Sequence, residues 1–280
     1  MSADTRKKVS IVIGSGGIKC AAAIGLVKVL EEADIPIDLV VGCSGGSMYA
    51  GLIAAGKSAE EMQERTIFLW TTEVMKDYTS NLKATQDGSL RFNERSGLVD
   101  DSVMNTRLEE TFGQIFFENL KRPLLLVATD LMTGERVVLN KGSLFPAVRA
   151  SLAIPIIMPP WEVDGALLVD GAAVDPLPVD VAIQEGADVI IAMGFMLSNR
   201  GRMRSMTAVQ QQLNNIYMNN ILRATYAFYN LAHHAEIFPI LPDFEEPLGM
   251  FDTDKLPDII ARGEAAARAE LPHIQRLLAA

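Results

Sequence analysis

Residues 36–46 of this 280-residue chain read PIDLVVGCSGG, an apolar segment that ends in glycines around a single serine. The run 36–41 predicts a buried strand, and residues from about 45 to 55 predict a helix directly after it. The same order occurs once before, because Val9–Ile13 is a short β-branched run that stops at glycine and 21–30 has the apolar spacing of a helix. This alternation of strand, loop and helix is typical of a parallel α/β fold.

The segment Gly42-Cys43-Ser44-Gly45-Gly46 fits the pattern G-x-S-x-G, and its position between a strand and a helix matters more than its letters. A serine at such a turn has a strained backbone and an exposed hydroxyl, beside helix N–H groups that suit an oxyanion. Side chains at Gly42 and Gly46 would collide with the neighbouring strand and helix. Ser44 is therefore a candidate nucleophile, and an ordinary βα turn or a phosphate-binding loop is the alternative interpretation.

The rest of the chain continues the α/β pattern with one irregular part. Residues 67–122 are more charged and predict helices and loops that leave the sheet as an excursion or lid. Residues 206–280 predict a helical C-terminal part, and no linker or repeat divides the chain, so we expect a single domain over 5–280. Further strands are predicted at 123–128, at 137–139, in the hairpin 161–169 around Asp164-Gly165, and at 188–195.

Residues 206–231 predict one long helix with two different faces. One face is mostly Gln and Asn, which predicts either plain solvent exposure or a surface for self-association into a homo-oligomer. The packed face is predicted to consist of the apolar side chains at helical spacing, which are Met206, Val209, Leu213, Ile216, Ile221, Ala224, Phe228 and Leu231.

The composition narrows the class of protein. The 25 Lys and Arg against 35 Asp and Glu give a net charge of −10, which repels nucleic-acid phosphates and opposes steering to anionic lipid. Cys20 and Cys43 make no disulfide framework, and no apolar run approaches the roughly 20 residues that span a bilayer. Residues 1–10 lack the features of a signal peptide. We therefore expect a soluble cytoplasmic protein that does not bind nucleic acid.

A nucleophilic serine needs a base, and the histidines are few. The three histidines are His233, His234 and His273, all in the last fifth of the chain, where surface or helix-cap positions are the simpler interpretation. Asp170 ends the second strand of the predicted hairpin and precedes small residues, so its carboxylate is the alternative base. A plain turn aspartate would have the same local sequence.

A second glycine-rich turn, Gly14-Ser15-Gly16-Gly17-Ile18-Lys19, follows the first strand. It does not fit the dinucleotide-binding fingerprint, because Lys19 occupies the last glycine position, and it is not a Walker A loop. Consecutive glycines allow backbone N–H groups to converge on one anion, and the Lys19 charge favours the same site. The turn therefore predicts an oxyanion hole.

These motifs together resemble the patatin-like phospholipase family, particularly its bacterial members. The resemblance covers about Val9 to Met193, two thirds of the chain, and implies a three-layer α/β/α domain with a central, mostly parallel sheet flanked by helices. Its four parts, in chain order, are the glycine-rich loop and helix from Ser15 to Gly25, the elbow Gly42–Gly46, the strand and turn Pro123–Glu135, and the block that runs from Arg149-Ala150-Ser151 through Pro160 to Val169–Ala172.

The resemblance implies a serine acyl hydrolase that cleaves lipid esters, with Ser44 as nucleophile and Asp170 as general base in a dyad without histidine. Its partners would be a lipid or other acyl ester and, transiently, a membrane surface. The sequence itself has no paired His/Cys spacing and no Ca²⁺ loop pattern, so we expect neither metal nor cofactor. The oxyanion and substrate would be held by Gly16, Gly17, Ile18, Lys19 and Gly45, and the remaining motif glycines are Gly14, Gly42, Gly46 and Gly171.

The chain departs from the family pattern at three positions. Ser15 and Cys20 replace glycines of the oxyanion loop, and Cys20 requires a backbone angle that a side chain tolerates. Asp175 precedes Pro176 where the family often has asparagine, and a second acid close to Asp170 would raise the pKa of Asp170.

Two other functions remain open. One is an α/β-hydrolase with a triad of Ser44, Asp170 and His233 or His234, whose chain order is permitted. The other is a scaffold or regulator that keeps the fold with an impaired oxyanion hole. Independently of these, the methionines predict either an adaptable acyl pocket or ordinary core packing; they are Met193, Met196, Met203, Met206 and Met218.

Overall fold

The computed structural model describes residues 6–75, 78–196, 202–203, 206–232, 235–244, 248–249 and 252–279. The strands are β1 (Val9–Ile13), β2 (Leu39–Cys43), β3 (Leu124–Asp130), β4 (Arg136–Leu139), β5 (Trp161–Val163), β6 (Ala166–Asp170), β7 (Val189–Met193) and β8 (Glu236–Ile240). The helices are α1 (Ala22–Glu32), α2 (Gly45–Ala54), α3 (Ala59–Leu69), α4 (Tyr78–Gln86), α5 (Ser102–Phe112), α6 (Leu144–Ser151), α7 (Val179–Gln184), α8 (Met206–Ala232) and α9 (Leu256–Leu278).

The described strands form one sheet in the order β5-β6-β3-β2-β1-β7-β8, with β4 paired to β3. Strands β3, β2, β1, β7 and β8 run parallel. Strands β4 and β6 pair antiparallel with β3, and β5 pairs antiparallel with β6. Successive residues of β1 point to opposite faces of the sheet. Ile11 and Ile13 pack in a core with α1, α2 and α9, and Val12 packs in a second core with α7 and α8. The predicted three-layer α/β architecture is confirmed.

The hairpin predicted around Asp164-Gly165 joins β5 to β6 in antiparallel register. Both turn residues have positive φ, 51° at Asp164 and 84° at Gly165, as the twist of a two-residue hairpin requires. This turn sets the register of β6, because Val163 pairs with Ala166 and Trp161 with Leu168. As a result, β6 ends at Asp170 at a fixed position beside β3.

Helices α1 and α9 cross at two glycines. A Cβ atom at Gly25 of α1 would lie 2.2 Å from the carbonyl oxygen of Ile260, and one at Gly263 of α9 would lie 2.0 Å from that of Ala22. The two backbones can approach this closely because neither glycine has a side chain. The C-terminal helix therefore packs directly on the helix that follows the glycine-rich loop.

The prediction of which face of α8 is buried is wrong. Val209, Leu213, Ile216 and Phe228 are 38–61% exposed, and α8 packs through Leu222 instead. Two apolar rows overlap on this helix, and the row that contains Leu222 also includes Met218 and Tyr226, which pack against the second core. The hydroxyl of Tyr226 donates to Ala192 O of β7 at 3.2 Å, and that contact fixes which row faces the sheet. Gln212 of α8 is also buried.

The sequence predicted a helical C-terminal part over 206–280. The structure differs, because Glu236–Ile240 forms β8 and extends the sheet beside β7. Its sequence, EIFPI, contains a proline, which is tolerated because β8 is an edge strand. The predicted excursion at 67–122 contains the end of α3 with α4 and α5, as the helices and loops expected there. Among the described helices, none combines the length and apolar character needed to cross a membrane.

Candidate active site

Ser44 lies at the sharp turn between β2 and α2, with φ 56° and ψ −133°. These angles are outside the region that residues with a Cβ normally adopt, and they are the strained conformation expected at a nucleophile elbow. The serine precedes α2 but its hydroxyl does not cap that helix. Instead, Ser44 Oγ donates a hydrogen bond to Asp170 Oδ2 at 2.7 Å.

Asp170 is the last residue of β6, beside Ala128 of β3. Its backbone N–H donates to Ala153 O at 2.9 Å, and its Oδ1 accepts the N–H of Ala172 at 2.9 Å. Each carboxylate oxygen therefore has one partner, and Oδ2 is the oxygen that faces Ser44. The side chains of Ser44 and Asp170 are both buried.

Burial raises the pKa of Asp170 from its ordinary value of 3.8 to about 6. The hydrogen bonds from Ser44 and Ala172 stabilise the carboxylate and oppose part of this rise in pKa. A carboxylate with a pKa of about 6 is ionised at neutral pH and is a better proton acceptor than an ordinary aspartate.

The glycine-rich loop lies against the elbow. A Cβ atom at Gly45 would be 2.6 Å from Gly17 O, so the loop can reach the start of α2 only because Gly45 has no side chain. Gly17 itself has φ +59°. Among the described residues, the N–H groups of Gly16, Gly17 and Ile18 donate to no protein acceptor. N–H groups of consecutive loop residues that lack a protein acceptor can donate to an anion.

Lys19 is turned toward another part of the molecule. Its Nζ donates to Met196 O at 3.1 Å and lies 5.5 Å from the centre of the Phe244 ring. Burial lowers the pKa of this amine. In the described part of the chain its contacts do not include Ser44 or Asp170.

The remaining motif glycines are sites of close packing. As predicted, a Cβ at Gly42 would meet α2, 2.6 Å from Ala50 Cβ, and one at Gly46 would meet β1, 2.3 Å from Ile13 O. A Cβ at Gly171 would lie 2.3 Å from Val127 O, and one at Gly14 would lie 2.7 Å from Pro176 O. These contacts hold the two loops and the elbow in one compact layer at the end of the sheet.

The three departures from the family pattern have local explanations. Cys20 lies in a short 3₁₀ turn and its Sγ donates to Gly14 O at 3.3 Å, so its side chain is accommodated without a positive φ. The N–H of Ser15 donates to Pro176 O at 2.8 Å. The raised pKa of Asp170 is due to its own burial, and the Asp175 carboxylate accepts a hydrogen bond from Arg136 Nη1 at 2.6 Å.

Two supporting residues had no role assigned from the sequence. Ser151 Oγ accepts the N–H of Ser44 at 2.9 Å and donates to Val127 O at 2.7 Å. Thr129 Oγ1 donates to Asp170 O at 3.1 Å. Ser151 belongs to the Arg149-Ala150-Ser151 block already noted in the sequence, but its contact is with a backbone N–H, which no sequence pattern indicates.

Arg149 of the same block is buried and connects α6 to the excursion. Its Nη2 contacts the Asp101 carboxylate, and its Nε donates to Asn105 Oδ1 of α5 at 2.6 Å. The same Nη2 donates to Pro159 O at 2.9 Å. The helix that delivers Ser151 to the elbow is thereby tied to α5.

Two of the three histidines, His233 and His234, lie outside the described residues. His273 is on the surface of α9, where its Nδ1 is 3.1 Å from Glu270 Oε2. The direct contact of Ser44 with Asp170 leaves no space for an imidazole between their oxygens. Among the described residues, no cluster of His, Cys, Asp and Glu has the arrangement to hold a metal ion.

The fold and this geometry define a three-layer α/β protein with a strained serine between a central strand and the next helix, in hydrogen-bond contact with a buried aspartate. A family model described as patatin-like phospholipase matches residues 11–183, more than half of the chain. The chain therefore belongs to the patatin-like phospholipase family, as the sequence motifs predicted.

Two relatives agree with this family assignment. An NTE family protein of Mycobacterium tuberculosis is 32% identical over 225 residues, which are 80% of this chain and 58% of that protein. Human patatin-like phospholipase domain-containing protein 6 is 35% identical over 191 residues, 68% of this chain and 13% of that protein. The chain thus spans little more than half the length of the mycobacterial relative and a small part of the human one.

Two solved structures have the same fold. VipD from Legionella pneumophila superposes with a TM-score of 0.55 at 14% identity, covering 97% of this chain and 68% of VipD. Human GIVD cytosolic phospholipase A2, solved with methyl γ-linolenyl fluorophosphonate, superposes with a TM-score of 0.51 at 12% identity, covering 99% of this chain and 59% of the human chain.

Proposed function

We propose that this protein is a serine acyl hydrolase that cleaves carboxylic esters of lipids, with Ser44 as nucleophile and Asp170 as general base. The single observation that carries the proposal is the 2.7 Å hydrogen bond from Ser44 Oγ to Asp170 Oδ2 at a strained strand-to-helix turn. A nucleophile in contact with a base of suitable pKa is the arrangement that covalent catalysis requires.

In the proposed acylation step, Ser44 Oγ attacks the ester carbonyl carbon and its proton passes to Asp170 Oδ2. The carbonyl oxygen gains negative charge, which the N–H groups of Gly16, Gly17 and Ile18 would stabilise. The C–O bond to the alcohol then breaks, the leaving oxygen takes the proton from Asp170, and an acyl-Ser44 ester remains.

Deacylation repeats the same chemistry with water. Asp170, again a carboxylate, accepts a proton from a water molecule that attacks the acyl carbon. The bond to Ser44 Oγ breaks, the proton returns from Asp170 to the serine, and a carboxylic acid is released. No histidine is needed in either step, because the pKa of Asp170, about 6, suits it to both proton transfers.

Apolar side chains around the site support a lipid rather than a small polar ester. Ser44 follows β2, and the carboxyl ends of parallel strands lie at one edge of a sheet. Leu131 and Met132 follow β3, Met196 follows β7, and all three are exposed at 38–70%. Ile156, 57% exposed, lies three residues after Ala153, whose carbonyl binds Asp170 N–H. The names of the matched relatives and of the human phospholipase agree with this substrate class.

Of the methionines predicted to line an acyl pocket, Met193 is buried in β7, whereas Met196 and Met203 are exposed. Met218 packs against the second core, and nothing is described of the Met206 side chain. Of these five methionines, only Met196 is both exposed and placed shortly after a strand that ends at the sheet edge where Ser44 lies. Met196 is therefore the one of the five that we propose to meet an acyl chain.

The proposal is tested by hydrolysis of short- and long-chain p-nitrophenyl esters and by labelling with a fluorophosphonate. We expect Ser44→Ala to abolish both ester hydrolysis and fluorophosphonate labelling, because the oxygen that would attack the ester or the probe is absent. We expect Asp170→Asn to reduce kcat by about 10²–10⁴-fold, the usual contribution of a general base. In wild type, kcat/KM rises with pH through about 6, as Asp170 ionises, and then levels.

The matched control replaces both His233 and His234 by alanine. Retained activity in this variant supports the dyad, whereas loss of activity favours the Ser–His–Asp triad. Wild-type protein that neither hydrolyses the esters nor reacts with the fluorophosphonate would contradict the hydrolase proposal and favour the scaffold function.

A further inference from the structure

A single guanidinium holds two carboxylates close to the proposed site. Arg136 Nη1 donates to Asp175 Oδ2 at 2.6 Å and to Asp180 Oδ1 at 2.7 Å. The three side chains are 14–26% exposed, so these ion pairs are shielded from water. Charged hydrogen bonds in such partly buried positions are stronger than those between surface groups.

Asp175 occupies the segment that joins the two halves of the site. The segment begins at Asp170, continues through the short 3₁₀ turn Gly171–Ala173, and returns when Asp175 N–H donates to Gly171 O at 2.9 Å. The next residue, Pro176, accepts the N–H of Ser15 in the glycine-rich loop at 2.8 Å. A displacement of Asp175 would therefore move both the proposed base and the proposed oxyanion loop.

Arg136 is itself held in a fixed position. It is the first residue of β4 and pairs with Thr129 of β3, and Thr129 Oγ1 donates to Asp170 O. The sheet therefore fixes Arg136 and Asp170 relative to the same strand, β3. Asp175 stands where the family often has asparagine, and a buried carboxylate at this position needs a cation that a neutral amide does not.

We infer that Arg136 is a positioning residue for the proposed reaction, which binds Asp175 and so fixes the segment 170–176 between the general base and the oxyanion loop. The inference rests on the proposed function. Asp180 lies on α7, outside that segment, and shares the same guanidinium. It therefore provides a matched control for loss of an ion pair at Arg136 without loss of the contact to the segment.

The experiment is a mutant cycle with Arg136→Met, Asp175→Leu and the double variant, compared with Asp180→Leu and Arg136→Lys. For a soluble ester, we expect either single substitution in the Arg136–Asp175 pair to lower kcat by about 10–100-fold, because small misplacements of reacting groups have effects of this size. KM changes less than about twofold, since no substrate contact is lost. The double variant is no slower than the slower single variant, because the pair acts as a unit.

The control variants separate positioning from folding. Asp180→Leu retains kcat within about threefold, and Arg136→Lys recovers most of the activity, because an ammonium also binds Asp175. Urea unfolding of every variant is measured in parallel. The inference is overturned if Asp180→Leu slows kcat as much as Asp175→Leu, or if Arg136→Met lowers stability and leaves kcat unchanged.

Hydrogen exchange tests the same inference without any catalysis. In Arg136→Met, the amides of Ser15, Ala172 and Asp175 exchange faster than in wild type, whereas strand amides of β1 do not. Unchanged exchange at these three amides overturns the inference. If wild-type protein is inactive toward esters and fluorophosphonate, the proposed function fails by itself, and the exchange result still decides the role of Arg136.

Discussion

Asp170 lies in a site that disfavours its own charge. Its pKa is about 6 in the folded protein and 3.8 in the ordinary state, so the fold binds its proton more tightly than the unfolded chain does. The folded state is therefore penalised by ionisation of Asp170 as the pH rises from about 4 to about 6, and above pH 6 the penalty is complete, about 3 kcal/mol. Below pH 4 the penalty is absent, because the group is protonated in both states.

Asp170→Asn should therefore stabilise the protein while it removes the proposed general base. We expect the free energy of unfolding in urea to rise by about 3 kcal/mol at pH 8 and to change little at pH 4. Asp38→Asn is the matched control with the opposite sign, because Arg6 lowers the pKa of Asp38 and stabilises its charge. An Asp170→Asn variant that is destabilised at pH 8 would contradict this account of the raised pKa.

For single residues, the sequence indicates which side chains belong to the candidate site better than it indicates what those side chains contact. Ser44 and Asp170 are both evident from motifs, and the structure places their oxygens in contact. The roles of Ser151 and Arg136 are invisible in sequence, because Ser151 binds a backbone N–H and Arg136 lies 39 residues from Asp175. Lys19 was predicted to add charge to the oxyanion hole, yet its amine binds Met196 O, a direction that only the path of the chain after β7 determines.

Helix α1 follows the glycine-rich loop directly, so its packing determines where that loop lies. The crossing with α9 depends on Gly25, whose missing Cβ would be 2.2 Å from the backbone oxygen of Ile260. We expect Gly25→Ala to lower the free energy of unfolding by about 2–3 kcal/mol, because backbone atoms cannot move aside as a flexible side chain can. Urea unfolding measures this loss.

Gly51→Ala in α2 is the matched control. A Cβ there would be 3.2 Å from a side-chain atom of Leu144, which can shift slightly. Both substitutions gain about 1 kcal/mol of helix propensity, so their difference isolates the α1–α9 contact. Equal stability of the two variants would show that α9 moves away from α1 at little cost.

Elements with one clear periodicity were predicted well, and those with two competing signals were not. The β-branched runs of β1 and β7 and the Asp164-Gly165 hairpin have a single interpretation. Helix α8 has two overlapping apolar rows, and the contact of Tyr226 with Ala192 selects the one that the spacing did not favour. Strand β8 contains Glu236 and Pro239, which are atypical of strands, and it forms because β7 offers an unpaired edge.

Self-association through 206–231 stays a prediction. In the structure, the exposed surface of this helix includes apolar side chains that the sequence predicted to be packed. Val209, Leu213 and Ile216 are exposed, together with part of the Gln and Asn set. Domain organisation as one unit over 5–280 also stays a prediction, although β8 extends the same sheet and α9 packs on α1.

The net charge of −10 acts on the whole molecule and on any lipid surface it meets. Electrostatic repulsion from an anionic bilayer extends about 30 Å at 0.01 M salt and about 8 Å at 0.15 M. If the proposed lipid hydrolysis holds, we expect the rate on anionic vesicles to be several-fold below that on zwitterionic vesicles at 0.01 M salt, with the two rates converging at 0.15 M.

Two controls identify the cause of that difference. Hydrolysis of a soluble neutral ester should be independent of salt over the same range, since no charged surface is involved. The opposite result, faster hydrolysis of anionic vesicles at low salt, would mean that a local basic patch outweighs the net charge. Arg91 and Arg95 are the side chains to test in that case. Arg91 precedes Phe92, an exposed apolar side chain of the excursion, and Arg95 follows three residues later, paired with Glu162 at 3.0 Å. Their replacement by glutamine would then remove the preference for anionic vesicles, and a preference that survives it would require a basic patch elsewhere on the molecule.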